Sequence, residues 1–299
     1  MSILMFPGCS SHSGVLFYRP PGTTTEVYKT HPEALQLTVY PESTPGIHTG
    51  AVVFIHGGGW QAKGSDLPLY WDWHARVQNA HLRAFSLEHR AAPTYRGHDL
   101  LEDTLDAVAY IRQHANRFRI PPDKIALVGF SSGGHLAVLT ALAASTPRPG
   151  RYERHPGGIR AAISFYGPLD PEGLLEYGNP AARNLLLNYL PEFRDYSANQ
   201  SDGGAQQRSF LTQSLKDISP IYRLHYRAPR MLLLHGAKDE LIPPKQSEVL
   251  AEKARVIRPD MAELRVIADA EHNFCASRKP WARQIESDVL AFIQTEFAR

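Results

Sequence analysis

The sequence predicts an α/β fold, with a mostly parallel central sheet, helices on both faces and a small helical cap. Three observations carry that prediction. From about residue 34 to the end, short apolar runs alternate with longer stretches of helical periodicity. Two runs, AVVFI (51–55) and KIALVG (124–129), are almost unbroken in apolar residues, as in strands buried on both faces. Residues 171–220 form a stretch too long for an ordinary connection and carry Tyr177, Tyr189, Phe193, Tyr196 and several leucines, which suits a cap.

The elements follow in order. Residues 35–39 read as a strand, and 51–55 as a buried strand that ends in His-Gly-Gly-Gly. Residues 69–79 read as a helix, and 84–88 as a strand followed by a proline-containing loop. Over 99–114 the apolar residues Leu100, Leu101, Leu105, Val108, Ala109 and Ile111 mark one helix face. Pro121-Pro122-Asp123 breaks the chain, 124–129 is a strand, and 135–144 is an Ala/Leu-rich helix. Strands are expected at 161–165, 231–235 and 264–267, and helices at 248–255 and 281–297. Strands separated by helices pair in parallel through right-handed crossovers, which places helices on both faces. The cap then sits over the carboxyl edge of the sheet, where such folds bind ligands. One domain is expected over 34–299, preceded by a partly disordered segment, 1–33.

Composition narrows the function. With 43% hydrophobic and 21% charged residues, the chain is ordinary globular material. The formal net charge of +2 is scattered, and no basic stripe points to nucleic acid. No apolar run approaches the roughly 18 residues of a membrane span. The two cysteines, Cys9 and Cys275, make no disulfide framework, and no Cys/His cluster suggests a metal. MSILMFPGCSS reads as a disordered N-terminus of a cytoplasmic protein. If the true start lay upstream, Cys9 would instead be a lipidation site on a lipoprotein or secreted form.

The chemistry gathers around GFSSGG (129–134). A strand enters this hexapeptide and a helix leaves it, so Gly-x-Ser-x-Gly reads as a nucleophile elbow. The positions flanking the sharp turn must be small. Gly129 and Gly133 meet that need around Ser131, whereas a register centred on Ser132 would place the bulky Phe130 at a flank. Ser131 is therefore the candidate nucleophile. Ser132 opens the helix, its N–H free to meet negative charge and its hydroxyl available as a cap.

An oxyanion needs further donors, and His56-Gly57-Gly58-Gly59-Trp60 follows a strand directly. The alternative, a phosphate cradle, lacks either glycine-rich nucleotide fingerprint. A serine nucleophile also needs a base and an acid that orients the base, in the chain order Ser, Asp/Glu, His. Asp239 sits just past the strand MLLLH, with Glu240 as competitor, and His272 is the only histidine downstream of Asp239. Among the others, His135 reads as packed or hydrogen-bonded, His56 as orienting the glycine loop and His235 as structural. His31, His48, His74, His81, His89, His98, His114, His155 and His225 read as surface or loop residues, and Asp103 and Asp106 as helix-surface or packing residues.

Taken together, HGGGW (56–60), HRAAPTYR (89–96), LEDTLDAVAYIR (101–112), PPDKIALVGFSSGGHLA (121–137), FYGPLD (165–170), HGAKDELIP (235–243) and EHNF (271–274) resemble the α/β-hydrolase fold. Within it they are similar to the hormone-sensitive-lipase-like and feruloyl-esterase/kynurenine-formamidase-like branch, over roughly residues 50–299. The resemblance implies a triad of Ser131, Asp239 and His272. It also implies oxyanion donors at Gly58, Gly59 and Ser132, with Gly57 left open. Three departures stand out. Ser132 occupies a position that is usually alanine, HRAAP replaces the more usual YRLAP, and the N-terminal region is short, so the 171–220 insertion must do most of the covering.

The expected activity is hydrolysis of a small carboxylic ester, with a short acyl or acetyl group, through an acyl-enzyme and with no metal or organic cofactor. Trp60 and the Tyr/Leu-rich cap suggest an apolar substrate pocket. The same triad serves an amidase, formamidase or peptidase, and a non-catalytic binding protein on this fold is the remaining rival. Nothing in the sequence reads out the oligomeric state.

Overall fold

A computed structural model describes residues 20–42, 46–64, 68–146, 158–192, 213–276 and 280–299. The expected α/β architecture is present. Among the described residues eight strands form one sheet: β1 (Thr24–Lys29), β2 (Leu35–Val39), β3 (Gly50–Ile55), β4 (Leu82–Leu87), β5 (Ile125–Phe130), β6 (Ile159–Phe165), β7 (Arg230–Gly236) and β8 (Ala262–Ile267). Their spatial order is β1-β2-β4-β3-β5-β6-β7-β8. The pairs β1/β2 and β2/β4 are antiparallel, and every other pair is parallel.

The alternation of side chains along each strand splits the core into two layers. Val53 and Ile55 of β3 face a layer built with α2 (Gly97–Gln113), the short α3 (Ala115–Phe118) and α4 (Ser132–Ser145). Val52 and Phe54 face the opposite layer, which includes Trp73 and Val77 of α1 (Pro68–Asn79).

The topology places the site. From β3 the chain runs outward to β4, then returns to set β5 on the other side of β3. Strand order reverses at the β3/β5 pair, the point at which sheets of this kind form a crevice beyond the carboxyl ends of their strands. The glycine loop leaves β3 and the serine turn leaves β5, so the two candidate motifs meet at that crevice.

β1 begins eleven residues ahead of the first expected strand, inside the segment read as partly disordered. Its sequence, TTEVYK, holds one aliphatic residue, and it is a half-exposed edge strand paired only to β2, so it lacks an apolar signature. Residues 1–19, including Cys9, lie outside the described residues.

The insertion folds as α5 (Pro171–Tyr177), α6 (Pro180–Tyr189), a helical turn at 213–217 and a 3-10 turn (Pro220–Tyr222). Asp-Pro and Asn-Pro open the first two helices. Asp170 Oδ1 accepts from Gly173 N at 3.2 Å and Asn179 Oδ1 from Ala182 N at 2.8 Å, with proline in the first turn where no N–H is missed. The expected aromatics Phe193 and Tyr196 lie outside the described residues.

The cap is tied down on two sides. Gln246, on α7 (Lys245–Ile257), accepts from Asp170 N at 2.8 Å and donates to Tyr177 Oη at 2.7 Å. On the other side Tyr189 packs on Trp60. The remaining helix, α8 (Pro280–Ala298), closes the second core layer with Val289 and Ile293.

Of its two expected roles, helix surface or packing, Asp103 takes packing. It is fully buried, accepts from Arg90 Nε at 2.8 Å and Arg90 N at 2.9 Å, and pairs with Lys29 at 2.7 Å. It thereby joins α2 to β1 and to the loop after β4. Of the histidines read as surface or loop residues, His48 and His89 lie in loops but are buried, and His74 is buried on α1.

Candidate active site

Ser131 is the one residue between β5 and α4, with φ 53° and ψ −122°. A non-glycine residue held in that region is strained, and such strain concentrates at functional sites. Its neighbours enforce the turn. A Cβ on Gly133 would sit 2.2 Å from the Ile55 carbonyl oxygen, so α4 packs directly on β3 only because that position is glycine. Phe130 points into the core, its ring stacked on Phe165 with centroids 4.9 Å apart. With Phe130 committed inward, Ser131 must face the crevice. Its own N–H is used up by the Phe165 carbonyl at 2.8 Å.

Asp239 and His272 come to Ser131 from the ends of β7 and β8. Ser131 Oγ lies 3.0 Å from His272 Nε2, and His272 Nδ1 lies 2.7 Å from Asp239 Oδ2. A carboxylate only accepts, so Nδ1 carries the hydrogen and Nε2 is left to accept from the Ser131 hydroxyl. Asp239 is buried, and its Oδ1 accepts from Leu241 N at 3.1 Å and Ile242 N at 2.8 Å. Burial alone would raise the Asp239 carboxyl. Hydrogen bonds from His235, His272 and the Ile242 backbone, with the His272 charge, outweigh it and hold the group below its ordinary value. Glu240, the competing acid, is exposed, and the hydrogen bond to His272 Nδ1 comes from Asp239.

The glycine loop lies against the same turn. A Cβ on Gly57 would be 3.3 Å from Ser131 Cβ and 2.8 Å from Phe130 O. Gly58 has φ +118°, a conformation side chains rarely adopt. His56 Nδ1 donates to Gly57 O at 2.9 Å. In a trans peptide the carbonyl and the next N–H point in opposite directions. Fixing the Gly57 carbonyl to His56 therefore turns the Gly58 N–H to the far side. His56 is in turn stacked on His89 at 4.3 Å, and the Trp60 carbonyl accepts from Ala92 N at 2.9 Å, so the segment 89–92 braces the loop. At the start of α4 the Ser132 N–H has no acceptor within the helix. The Ser132 hydroxyl, expected to cap the helix, makes no hydrogen bond and is buried.

Trp60 stands differently from the expectation. It is 2% exposed, its ring stacked on Tyr189 and its Nε1 donating to His135 Nδ1 at 3.3 Å. That leaves almost no face for a substrate, so Trp60 acts as the anchor of the cap. Leu185 of the cap lies against the glycine loop, its Cδ2 2.5 Å from where a Cβ on Gly59 would stand. Tyr166, the residue after β6, is a further member of the site that no catalytic motif singles out. Its ring packs edge-on against the His272 imidazole at 4.7 Å, and its φ of 44° marks it as held in place. The position of FYGPLD at the same carboxyl edge was the available signal. No group of three or more potential metal ligands occurs among the described residues, and no described helix is long and apolar enough to cross a membrane.

A sequence model of the BD-FAE family matches residues 37–254. The chain belongs to the BD-FAE family. This BD-FAE chain is 26% identical to esterase LipQ of Mycobacterium tuberculosis over 263 residues, 87% of the chain and 58% of LipQ. It is 28% identical to the probable carboxylic ester hydrolase LipM of the same organism, over 76% of the chain and 50% of LipM. The chain thus spans between half and three fifths of those relatives. Among solved structures it is similar to the butyrate-bound esterase Est2 of Thermogutta terrifontis, with a TM-score of 0.69, 25% identity, and coverage of 92% of this chain and 94% of that one. An acetyl ester-xyloside bifunctional hydrolase from Caldicellulosiruptor lactoaceticus shares the fold at a TM-score of 0.70 and 16% identity, over 95% and 98% of the two chains.

Proposed function

We propose that this BD-FAE protein is a serine hydrolase that cleaves carboxylic esters through an acyl-enzyme. The observation that carries the reading is the line from Ser131 Oγ through His272 to Asp239, at 3.0 and 2.7 Å, on a turn with a strained serine. Ser131 Oγ attacks the ester carbonyl while His272 Nε2 takes its proton. Asp239, ionised and unable to donate, keeps Nδ1–H in place and stabilises the imidazolium. N–H groups of Gly58, Gly59 and Ser132 receive the oxyanion, and loss of one such donor costs about 2.7–4 kcal/mol of transition-state stabilisation. His272 then protonates the leaving alcohol, and water repeats the sequence on the acyl-enzyme.

A short acyl group is the reading for the substrate. Leu185 crowds the glycine loop and the Trp60–Tyr189 stack closes the space beneath the cap. The similar Est2 structure holds butyrate, which agrees with a small acyl site.

The test uses p-nitrophenyl acetate and butyrate with a fluorophosphonate label. The wild type turns over and gains one adduct, located to Ser131 by peptide mass. Ser131→Ala loses turnover on the order of 10⁶-fold and takes no label. Labelling at another residue, or full activity in Ser131→Ala, would overturn the assignment. Matched anilides run alongside separate ester from amide preference.

A further inference from the structure

Asp239 has more donors than a triad needs. Oδ1 takes the Leu241 and Ile242 N–H groups, and Oδ2 takes His272. A further group stands 3.4 Å from Oδ2: Nε2 of His235, four residues back at the end of β7. Both side chains are fully buried, at 0% exposure. His235 Nε2 is also 2.8 Å from the Ile242 carbonyl oxygen. Both of these neighbours are acceptors, so Nε2 carries the hydrogen; it bonds the Ile242 carbonyl and stands 3.4 Å from the carboxylate. On the far side of the ring, Nδ1 lies 2.7 Å from Ser247 Oγ, buried on α7. Nδ1 is then the acceptor for the Ser247 hydroxyl. The tautomer is fixed from both sides, by a serine behind and by two oxygens in front.

We propose that His235 is a positioning residue for the acyl-transfer reaction, set by Ser247 to hold the Asp239–Ile242 turn and to aim Asp239 Oδ2 at His272. The inference rests on the triad reading above and extends it by two side chains: Ser247 hydrogen-bonds His235, and His235 Nε2 stands 3.4 Å from the Asp239 oxygen that leads through His272 to Ser131. The chemistry favours histidine at this place. A buried carboxylate needs donors. A lysine or arginine would supply them together with a second positive charge, and would compete with the imidazolium for Asp239. A neutral imidazole orients the carboxylate and leaves its charge for His272. His235 also grips both ends of the turn, because the carbonyl it donates to belongs to Ile242, whose N–H donates to Asp239 Oδ1.

The experiment compares His235→Gln with His235→Asn in the full chain. A glutamine amide nitrogen reaches the Nε2 position, whereas an asparagine amide reaches only the Nδ1 position. Both lose the ring and its packing to similar extents. On p-nitrophenyl butyrate, His235→Asn is expected to lose roughly 10-fold or more in kcat, the scale of a hydrogen bond to a charged group, with KM little changed. His235→Gln is expected to recover most of that loss, although its melting temperature falls as far as that of His235→Asn. Ser247→Ala, which keeps the ring, is expected to lower kcat in the same direction by a smaller factor. An unchanged kcat in His235→Asn or in Ser247→Ala overturns the inference, as do equal losses in Gln and Asn that track melting temperature. If His235→Asn does not fold, Ser247→Ala and His235→Gln decide alone, with wild-type kcat in Ser247→Ala as the overturning result. Failure of the triad reading looks different: the wild type itself would take no fluorophosphonate at Ser131.

Discussion

The Trp60 indole lies flat on the Tyr189 ring, 4.4 Å between centroids and 10° between planes, and so joins the glycine loop to the cap. Trp60 leaves the loop at φ 61°, and Tyr189 ends α6 with its hydroxyl donating to Gly97 O at 3.2 Å. One aromatic pair thus couples the placement of the glycine N–H groups to the lid above them. Trp60→Ala is expected to cost about 3–5 kcal/mol in stability, because it empties a buried site. Tyr189→Leu is expected to cost less, since the stacking term is about 0.5–1.5 kcal/mol beyond burial. Urea denaturation checks both, and a Trp60→Ala protein as stable as wild type would show that the stack is not an anchor.

Leu185 sets the room over the glycine loop. It stands one helical turn before Tyr189 on α6, with Cδ2 where a Cβ on Gly59 would fall. Leu185→Ala removes three carbons beside Gly59. The expected outcome is a shift of kcat/KM toward longer acyl chains, read on a p-nitrophenyl ester series from acetate to decanoate. An unaltered chain-length profile would place the acyl site elsewhere.

The two adjacent serines separate by what each touches. Ser132 Oγ is buried without a hydrogen-bond partner, and burying an unsatisfied hydroxyl is unfavourable. Ser132→Ala keeps the backbone N–H and removes that hydroxyl. It is expected to match or exceed wild-type stability in thermal melts and to keep activity within about 3-fold, an effect below ~1 kcal/mol. A loss approaching that of Ser131→Ala would give the Ser132 side chain a part in the chemistry.

Much of this was legible because local patterns and tertiary needs agree. KIALVG followed by GFSSGG predicts a buried strand, a tight turn and a helix, and the bulk of Phe130 alone chooses Ser131 over Ser132. Asp239 over Glu240 followed from a position just past a buried strand. What is less legible is the burial of polar groups that only long-range partners permit. Asp103 has the spacing of a helix surface residue, and nothing local announces that Arg90 and Lys29 will meet it there. His89 follows a strand like a loop residue, yet it stacks beneath His56. β1 escaped notice because an edge strand needs little apolar surface. Trp60 was read from its neighbours in sequence, whereas its partner, Tyr189, lies 129 residues on.

The Arg90–Asp103 pair carries a stability prediction. Asp103 is 0% exposed and the Arg90 side chain 6%, so removing the acid leaves a guanidinium buried beside no full charge except the more distant Asp99 at 3.5 Å and Glu102 at 4.0 Å. Asp103→Ala is expected to destabilise by about 3–5 kcal/mol. The double variant Asp103→Leu with Arg90→Met is expected to recover a large part of that loss. Additive losses in the urea midpoints would mean that the two residues do not act as a pair.

Three buried histidines make the fold sensitive to mild acid. Burial lowers His56 to about 3, with the neighbouring His89 adding to it, and burial lowers His89 and His135 each to about 4. Their ordinary value is 6.5. At pH above about 6.5 both the folded and unfolded chains hold them neutral, and they add no pH dependence. Between 6.5 and about 4 the unfolded chain takes up protons that the native interior refuses, so stability falls as pH falls. Each such histidine contributes a slope of about 1.4 kcal/mol per pH unit across that window. Asp239 acts in the same direction but only below its ordinary carboxylate value of 3.8, outside the window. Urea midpoints measured from pH 7.5 to 4.5 should therefore drop steeply below pH 6.5. His89→Phe, which keeps a ring against His56, should flatten the slope by one histidine's share. A stability independent of pH across that range would mean that these imidazoles are charged or solvated in the folded protein.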